Sequence, residues 1–179
     1  TPAQSEEHPH LAFVFDPDGN RLLVIAPHVI DRRAATLEEQ RYIETLDCAL
    51  SGMRELRVGS SGLLRVHATS VQVDADPLFA ASRVWESVTP YRVARHARGV
   101  TAGEALAIDL RAECQRRGLP LPRIVTSECR GVPGVGIEGL VRLDFGKAVD
   151  GPLLLGKSRY LGRGLFRRAS GNGRTEGEP

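Results

Sequence analysis

The sequence predicts an α+β fold with antiparallel sheets, arranged as two copies of one plan. Three observations predict it. Each half of the 179-residue chain follows an approximate order of strand, helix, strand, strand. Each expected helix opens on a capping box, and the expected strands are short and bounded by Gly, Pro and Asp. Apolar residues make up 41% and charged residues 26%, which suits a chain that buries a core under a charged surface. That order suggests helices packed on one face of an antiparallel sheet, as in ferredoxin-like folds.

The elements follow in turn. Residues 10–15 are an apolar run rich in β-formers, and Asp16-Pro-Asp-Gly-Asn20 is a turn signature leading to a second strand over 21–26. Pro27 closes that hairpin. Thr36-Leu-Glu-Glu39 starts a helix in which Tyr42, Ile43, Leu46, Ala49 and Leu50 recur at helical spacing, with Gly52 as its stop. Strands over 54–58 and 63–69 flank the turn Gly59-Ser-Ser-Gly62, and residues 70–82 read as a linker. The second copy begins with a strand over 83–90 continuing into 91–94, where Pro90 requires an edge or a bend. Thr101-Ala-Gly-Glu104 caps a second helix with the stripe Leu106, Leu110 and Cys114, ended by Gly118 and Pro120. Strands over 123–129 and 140–145, a glycine-rich segment over 151–164 and a closing strand at 165–166 complete the plan. The expected domains are 1–75 and 83–168, followed by a polar, Gly-rich tail, 169–179, expected to be disordered.

Composition narrows the function. No run of eighteen apolar residues is present and no signal-peptide pattern is visible, so no membrane partner is expected. The chain does not begin with Met, so a fragment or a processed chain is expected. Three widely spaced cysteines without a C-x-x-C pair read as thiols of a reducing, cytoplasmic compartment. Residues 1–82 carry a charge balance of −5 and residues 83–179 one of +7. Of the 24 basic residues, 22 are Arg, whose planar fork matches phosphate oxygens. A basic half is the footprint of a polyanion binder, although an Arg-rich composition also arises from codon bias.

The segment carrying most chemistry is Gly151-Pro-Leu-Leu-Leu-Gly156-Lys157-Ser158-Arg159-Tyr160-Leu161-Gly162-Arg163-Gly164. Its glycines allow close backbone approach and can aim amides at an anion. Lys157, Arg159 and Arg163 add positive charge, and Tyr160 offers a ring for base stacking. Residues 151–158 match G-x-x-x-x-G-K-S formally, but the apolar run Leu153-Leu-Leu155 and the absence of a strand–loop–helix context exclude a nucleotide-hydrolase loop. The candidate RNA-binding residues are Lys157, Ser158, Arg159, Tyr160, Arg163, Gly156 and Gly162, with Arg95 and His96.

This segment, ending in Gly162-x-Gly164-Leu165-Phe166, resembles the terminal glycine-rich loop of the RAMP superfamily of CRISPR-associated proteins. Within that superfamily it is most similar to the fused large subunit of type I-U (I-G) effector complexes. Three further stretches agree: His10-Leu-Ala-Phe13, Trp85-x-Ser87-Val-Thr-Pro90 with Arg95-His96, and Arg111-x-Glu113-Cys-x-Arg116-Arg117-Gly118-Leu-Pro120. Together they cover most of residues 8–168. The resemblance implies tandem ferredoxin-like (RRM-like) domains, binding of CRISPR repeat RNA, other effector-complex subunits as partners and no small-molecule cofactor. It further implies that the chain is the C-terminal, repeat-RNA endoribonuclease-like part of a longer subunit, or a free-standing shortened form.

Nucleases of this kind need no metal: a base activates the ribose 2′-hydroxyl, which attacks the adjacent phosphate and leaves a cyclic phosphate. The base is most often His, with a cation near the developing charge. The family's usual His lies between the first two strands near an Asp-Gly turn, which here reads Asp16-Pro-Asp-Gly19. The remaining candidates for a base are His28 and His10. No metal-ligand spacing is present, so no metal site is expected. The alternative is a catalytically inactive RNA-binding or structural subunit of the same complex. A small-molecule regulatory domain is a further rival that the ferredoxin-like scaffold allows.

Overall fold

The structure is a computed structural model describing residues 11–69, 71, 73–95 and 99–170. Runs of apolar β-formers make β1 (Ala12–Asp16) and β2 (Arg21–Ile25), paired antiparallel across the expected turn, with alternate side chains of β1 buried. A single helical turn, α1 (Pro27–Ile30), follows with Pro27 in its first turn, where a missing N–H costs nothing. α2 (Leu37–Ser51) starts at the expected capping box: Glu39 donates its amide to the Thr36 hydroxyl at 3.2 Å, and Thr36 donates its amide to the Glu39 carboxylate at 2.9 Å. The short strands β3 (Glu55–Arg57) and β4 (Leu63–Arg65) form a second ribbon. β5 (Ser82–Ser87) and β6 (Tyr91–Arg92) precede α3 (Ala102–Arg116), which also opens on its expected capping box. The long strands β7 (Arg123–Val132) and β8 (Gly136–Val149) come next, then β9 (Leu153–Leu154) and β10 (Leu165–Arg168).

The main sheet is antiparallel and six-stranded, in the order β6-β8-β5-β10-β9, with β7 on the other edge of β8. β5 and β6 lie end to end along β8: Trp85 faces Leu143 and Tyr91 faces Gly139. Pro90 sits between them, so the bend expected there takes the place of a ladder hydrogen bond. β5 and β7 both run antiparallel to β8, and are therefore parallel to each other, with α3 as the crossover. This is a split β-α-β unit.

Cross-strand pairs assign the faces. Trp85, Leu143, Phe166 and Leu153 share one face and pack with Leu106, Leu110 and Cys114 of α3. Trp85 is fully buried and donates its indole N–H to the Ser82 carbonyl at 2.9 Å. Leu154 and Leu165 point to the opposite face, where they meet Ala12, Val14, Leu23, Ile25 and Ile30. The β9–β10 hairpin is thus enclosed between α3 and the β1–β2 ribbon. Leu78, inside the expected linker, is a buried member of this second cluster. Arg21 holds that stretch through Asp76 at 2.5 Å.

The two halves, alike as sequence, differ as structure. β1–β2 and β3–β4 remain separate ribbons instead of one sheet. The 159–161 turn packs beside β1, and Glu39 is the one buried residue of α2. A helix that buries so little cannot hold a sheet together. α2 does stop at Gly52, its C-cap, with φ −84° and not in the left-handed region. Gly118, at φ +66°, ends α3 as expected, with the Leu119 amide donating to the Cys114 carbonyl at 2.9 Å.

Candidate functional site

The glycine-rich segment is the connection of the β9–β10 hairpin, and it is stitched down along its length. Leu153, Leu154 and Leu155 are core residues, which explains the apolar run within the formal nucleotide-loop match. Lys157 is followed by a three-residue 3-10 turn, Arg159–Leu161, and not by a helix. Thr89 donates its hydroxyl to the Gly162 carbonyl at 2.8 Å and accepts the Leu165 amide at 2.9 Å. Gly164 takes φ +63°, and a Cβ there would collide with the Leu155 carbonyl. Gly162, at φ +78°, lies against β1: its Cβ would stand 3.0 Å from the Phe13 carbonyl oxygen. Gly156 is buried beside the Arg92 carbonyl and the Tyr91 ring.

Several amides of this loop are taken up by the protein's own carbonyls, so these do not aim at an anion as expected. Lys157 donates to the Arg92 carbonyl at 3.0 Å, Leu161 to Ser158 at 2.9 Å, Gly162 to Arg159 at 3.2 Å and Gly164 to Pro90 at 3.0 Å. The formal charge that would attract an anion lies on the side chains. Lys157 is exposed, Arg163 is half-buried, and neither lies within 4.0 Å of a carboxylate among the described residues. Ser158 is left-handed at φ +66°, and its hydroxyl accepts from Arg92 at 3.4 Å. Arg92 is itself held by the buried Glu138 carboxylate at 2.7 Å.

Arg159 lies over the Tyr160 ring, 4.4 Å from its centroid, and donates to the Tyr160 hydroxyl at 2.9 Å. One face of the ring expected to stack a base is therefore covered by a guanidinium, and Tyr160 also packs against the second core. The Arg159 Nε is buried without a hydrogen-bond partner. Its guanidinium opens into a cleft of about 340 Å³ lined by Asp31, Glu113, Arg116 and Arg117. Arg116 and Arg117 donate to opposite oxygens of Glu113 at 2.6 Å and 2.7 Å. Burial pushes the Glu113 carboxyl up, but these two guanidiniums outweigh it and hold the group below the usual carboxylate range. Arg117 also donates to the Ile30 carbonyl at 3.2 Å and lies 3.7 Å from Asp31.

Three guanidiniums thus face two carboxylates in one open cleft. Such a surplus of rigid donors suits a phosphate group. Arg116 and Arg117 lie outside the set of binding residues read from the sequence. The available signal was their adjacency at the C-terminal end of a helix, where cations are favoured. The last turn of α3 brings them to the loop's Arg159.

Arg95 is exposed, and its amide donates to the Asp109 carboxylate at 3.2 Å. His96 and His10 lie outside the described residues. His28 sits in α1, with its Nδ1 buried and lacking a hydrogen-bond partner. Comparison with protein-family models, curated proteins and solved structures finds no match to this chain.

Proposed function

We propose that this chain is an RNA-binding subunit of a type I-U (I-G) CRISPR effector complex, holding the repeat-derived RNA through phosphate contacts. The observation that carries the reading is the meeting of Arg159, from the glycine-rich loop, with Arg116 and Arg117 of α3 in one cleft. Two of the sequence stretches that resemble RAMP proteins thereby share one surface. The order β10-β5-β8-β7, with α3 joining β5 to β7, supports a ferredoxin-like unit in the second half of the chain.

Binding is favoured over cleavage. A general base must be aimed at its proton and oriented by a partner. His28 Nδ1 has neither solvent access nor such a partner. Metal-independent attack by a ribose 2′-hydroxyl is the second reading, for which His28 and His10 are the candidate bases.

The test is titration of labelled repeat RNA at several salt concentrations. Lys157→Ala, Arg159→Ala, Arg163→Ala and Arg116→Ala should each weaken binding and lower the salt slope by about one unit. Affinity that ignores salt, or that all four variants retain, overturns the proposal. Incubating the RNA with protein and EDTA separates the two readings. Cleavage that disappears in His28→Ala would establish the enzyme.

A further inference from the structure

β1 alternates strictly: Ala12, Val14 and Asp16 point inward while Phe13 and Phe15 point out. Register pairs Phe13 with Val24 and Phe15 with Leu22 on β2, so these four side chains share one face of the ribbon. Among the described residues, nothing covers that face. Phe13 is 51% exposed, Phe15 55% and Leu22 50%. Two of the five phenylalanines in the chain therefore stand side by side in solvent. Folding alone gives no reason for them, because the buried face of the same ribbon already supplies the second core through Ala12, Val14, Leu23 and Ile25.

The surroundings indicate what covers this face. The backbone of Gly162 lies against the Phe13 carbonyl and the Val14 Cα, so the cation-bearing loop runs directly alongside β1. Leu161, 78% exposed, and Arg163 flank Gly162 in this loop. A protein partner suited to an apolar ribbon would not call for a loop carrying Lys157 and Arg163, neither paired with a carboxylate among the described residues, beside it. A single nucleic-acid strand matches both features: its bases have apolar π-faces and its phosphates are anionic.

We propose that Phe13 and Phe15 form a stacking platform for two unpaired bases of a single-stranded RNA whose phosphates follow the 157–163 loop, a role that rests on the RNA-binding function proposed above. The rings are spaced i, i+2 on one strand and so project from the same face. Stacking of this kind tolerates any base sequence and adds to phosphate attraction without changing its salt dependence.

The experiment measures binding of a labelled unpaired oligoribonucleotide to the full chain and to Phe13→Ala, Phe15→Ala, Phe15→Leu and Phe15→Trp. Each Ala variant should lose about 5- to 150-fold in affinity with an unchanged salt slope. Phe15→Trp should retain binding. Phe15→Leu, which keeps apolar bulk and guards against a folding defect, should lose it. An oligomer with abasic positions should bind wild type more weakly and penalise the Phe13→Ala/Phe15→Ala double variant less, since the two losses then share one interaction. If the Phe variants bind like wild type while Lys157→Ala and Arg163→Ala are weakened, RNA binding stands and the platform falls, leaving this face to a protein. If wild type shows no salt-dependent RNA binding, both fall.

Discussion

Tyr91 donates its hydroxyl to the Asp109 carboxylate at 2.7 Å, joining β6 to the middle of α3 inside the core. The same carboxylate accepts the backbone amides of Ala94 at 2.8 Å and Arg95 at 3.2 Å. Both side chains are buried. Burial, and then the negative Asp109 beside it, pushes ionisation of the Tyr91 phenol far upward, so the hydroxyl stays a donor at any ordinary pH. One carboxylate thus sets the path of the chain as it leaves β6.

Removing the two partners should therefore have unequal effects. Tyr91→Phe deletes one hydrogen bond and should cost about 1–2 kcal/mol. Asp109→Ala leaves a phenol and two amides without an acceptor and should cost about 3–5 kcal/mol, at about 1–3 kcal/mol for each stranded group less what water recovers. Urea denaturation of both variants measures this. Equal losses would mean that Asp109 does not organise the segment after β6.

Gly164→Ala should destabilise the fold by about 2–4 kcal/mol. The left-handed backbone penalises any Cβ, and this Cβ meets the rigid Leu155 carbonyl of the paired strand. Gly134, also at positive φ but with nothing within 4 Å of its added Cβ, is the control. Gly134→Ala should cost about 1 kcal/mol. Thermal melts that rank the two variants the other way would contradict the packing described here.

Acid should weaken the start of α2. The Arg33 guanidinium at 2.5 Å and the Thr36 amide hold the Glu39 carboxyl down to about 2. Its folded value lies below its unfolded one, at about 4.3. The stabilisation is therefore complete above that range and lost as pH falls toward 2. Glu39→Gln should be less stable than wild type at pH 6, and the difference should vanish toward pH 2. Asp144, held to about 2 chiefly by Arg83, contributes a further decline in the same window. A gap between wild type and Glu39→Gln that stays constant with pH would refute the assignment.

The three thiols should react in a fixed order with a disulfide reagent at pH 8. Cys48 is exposed and should react at once. Burial raises the Cys129 thiol and should slow it. Cys114 is buried beneath the sheet, and burial followed by the neighbouring Glu113 pushes it up to about 12. It should react only after denaturation. Rapid modification of all three in the native protein would show the α3 core to be open.

Much of the local structure was legible in the residues. Both capping boxes, the Asp16–Asn20 turn, the bend at Pro90 and the end of α3 at Gly118 follow from chemistry within a few positions of each other. The site was legible in part. Lys157, Arg159 and Arg163 stood out through their glycine context, but nothing local indicated that Gly164 and Gly162 serve packing against Leu155 and β1. Arg116 and Arg117 were hidden for a related reason: adjacency on a helix does not reveal which loop the helix end will meet.

The residues alone set where this chain turns and where its two long helices begin, because these depend on backbone preference and short-range spacing. Tertiary structure alone decided that two similar halves become one six-stranded sheet and two ribbons, since pairing is chosen by which apolar faces can be buried together. It also decided that Arg116, Arg117 and Arg159 share a cleft and that Phe13 and Phe15 stay uncovered. Those are consequences of contacts between residues far apart along the chain.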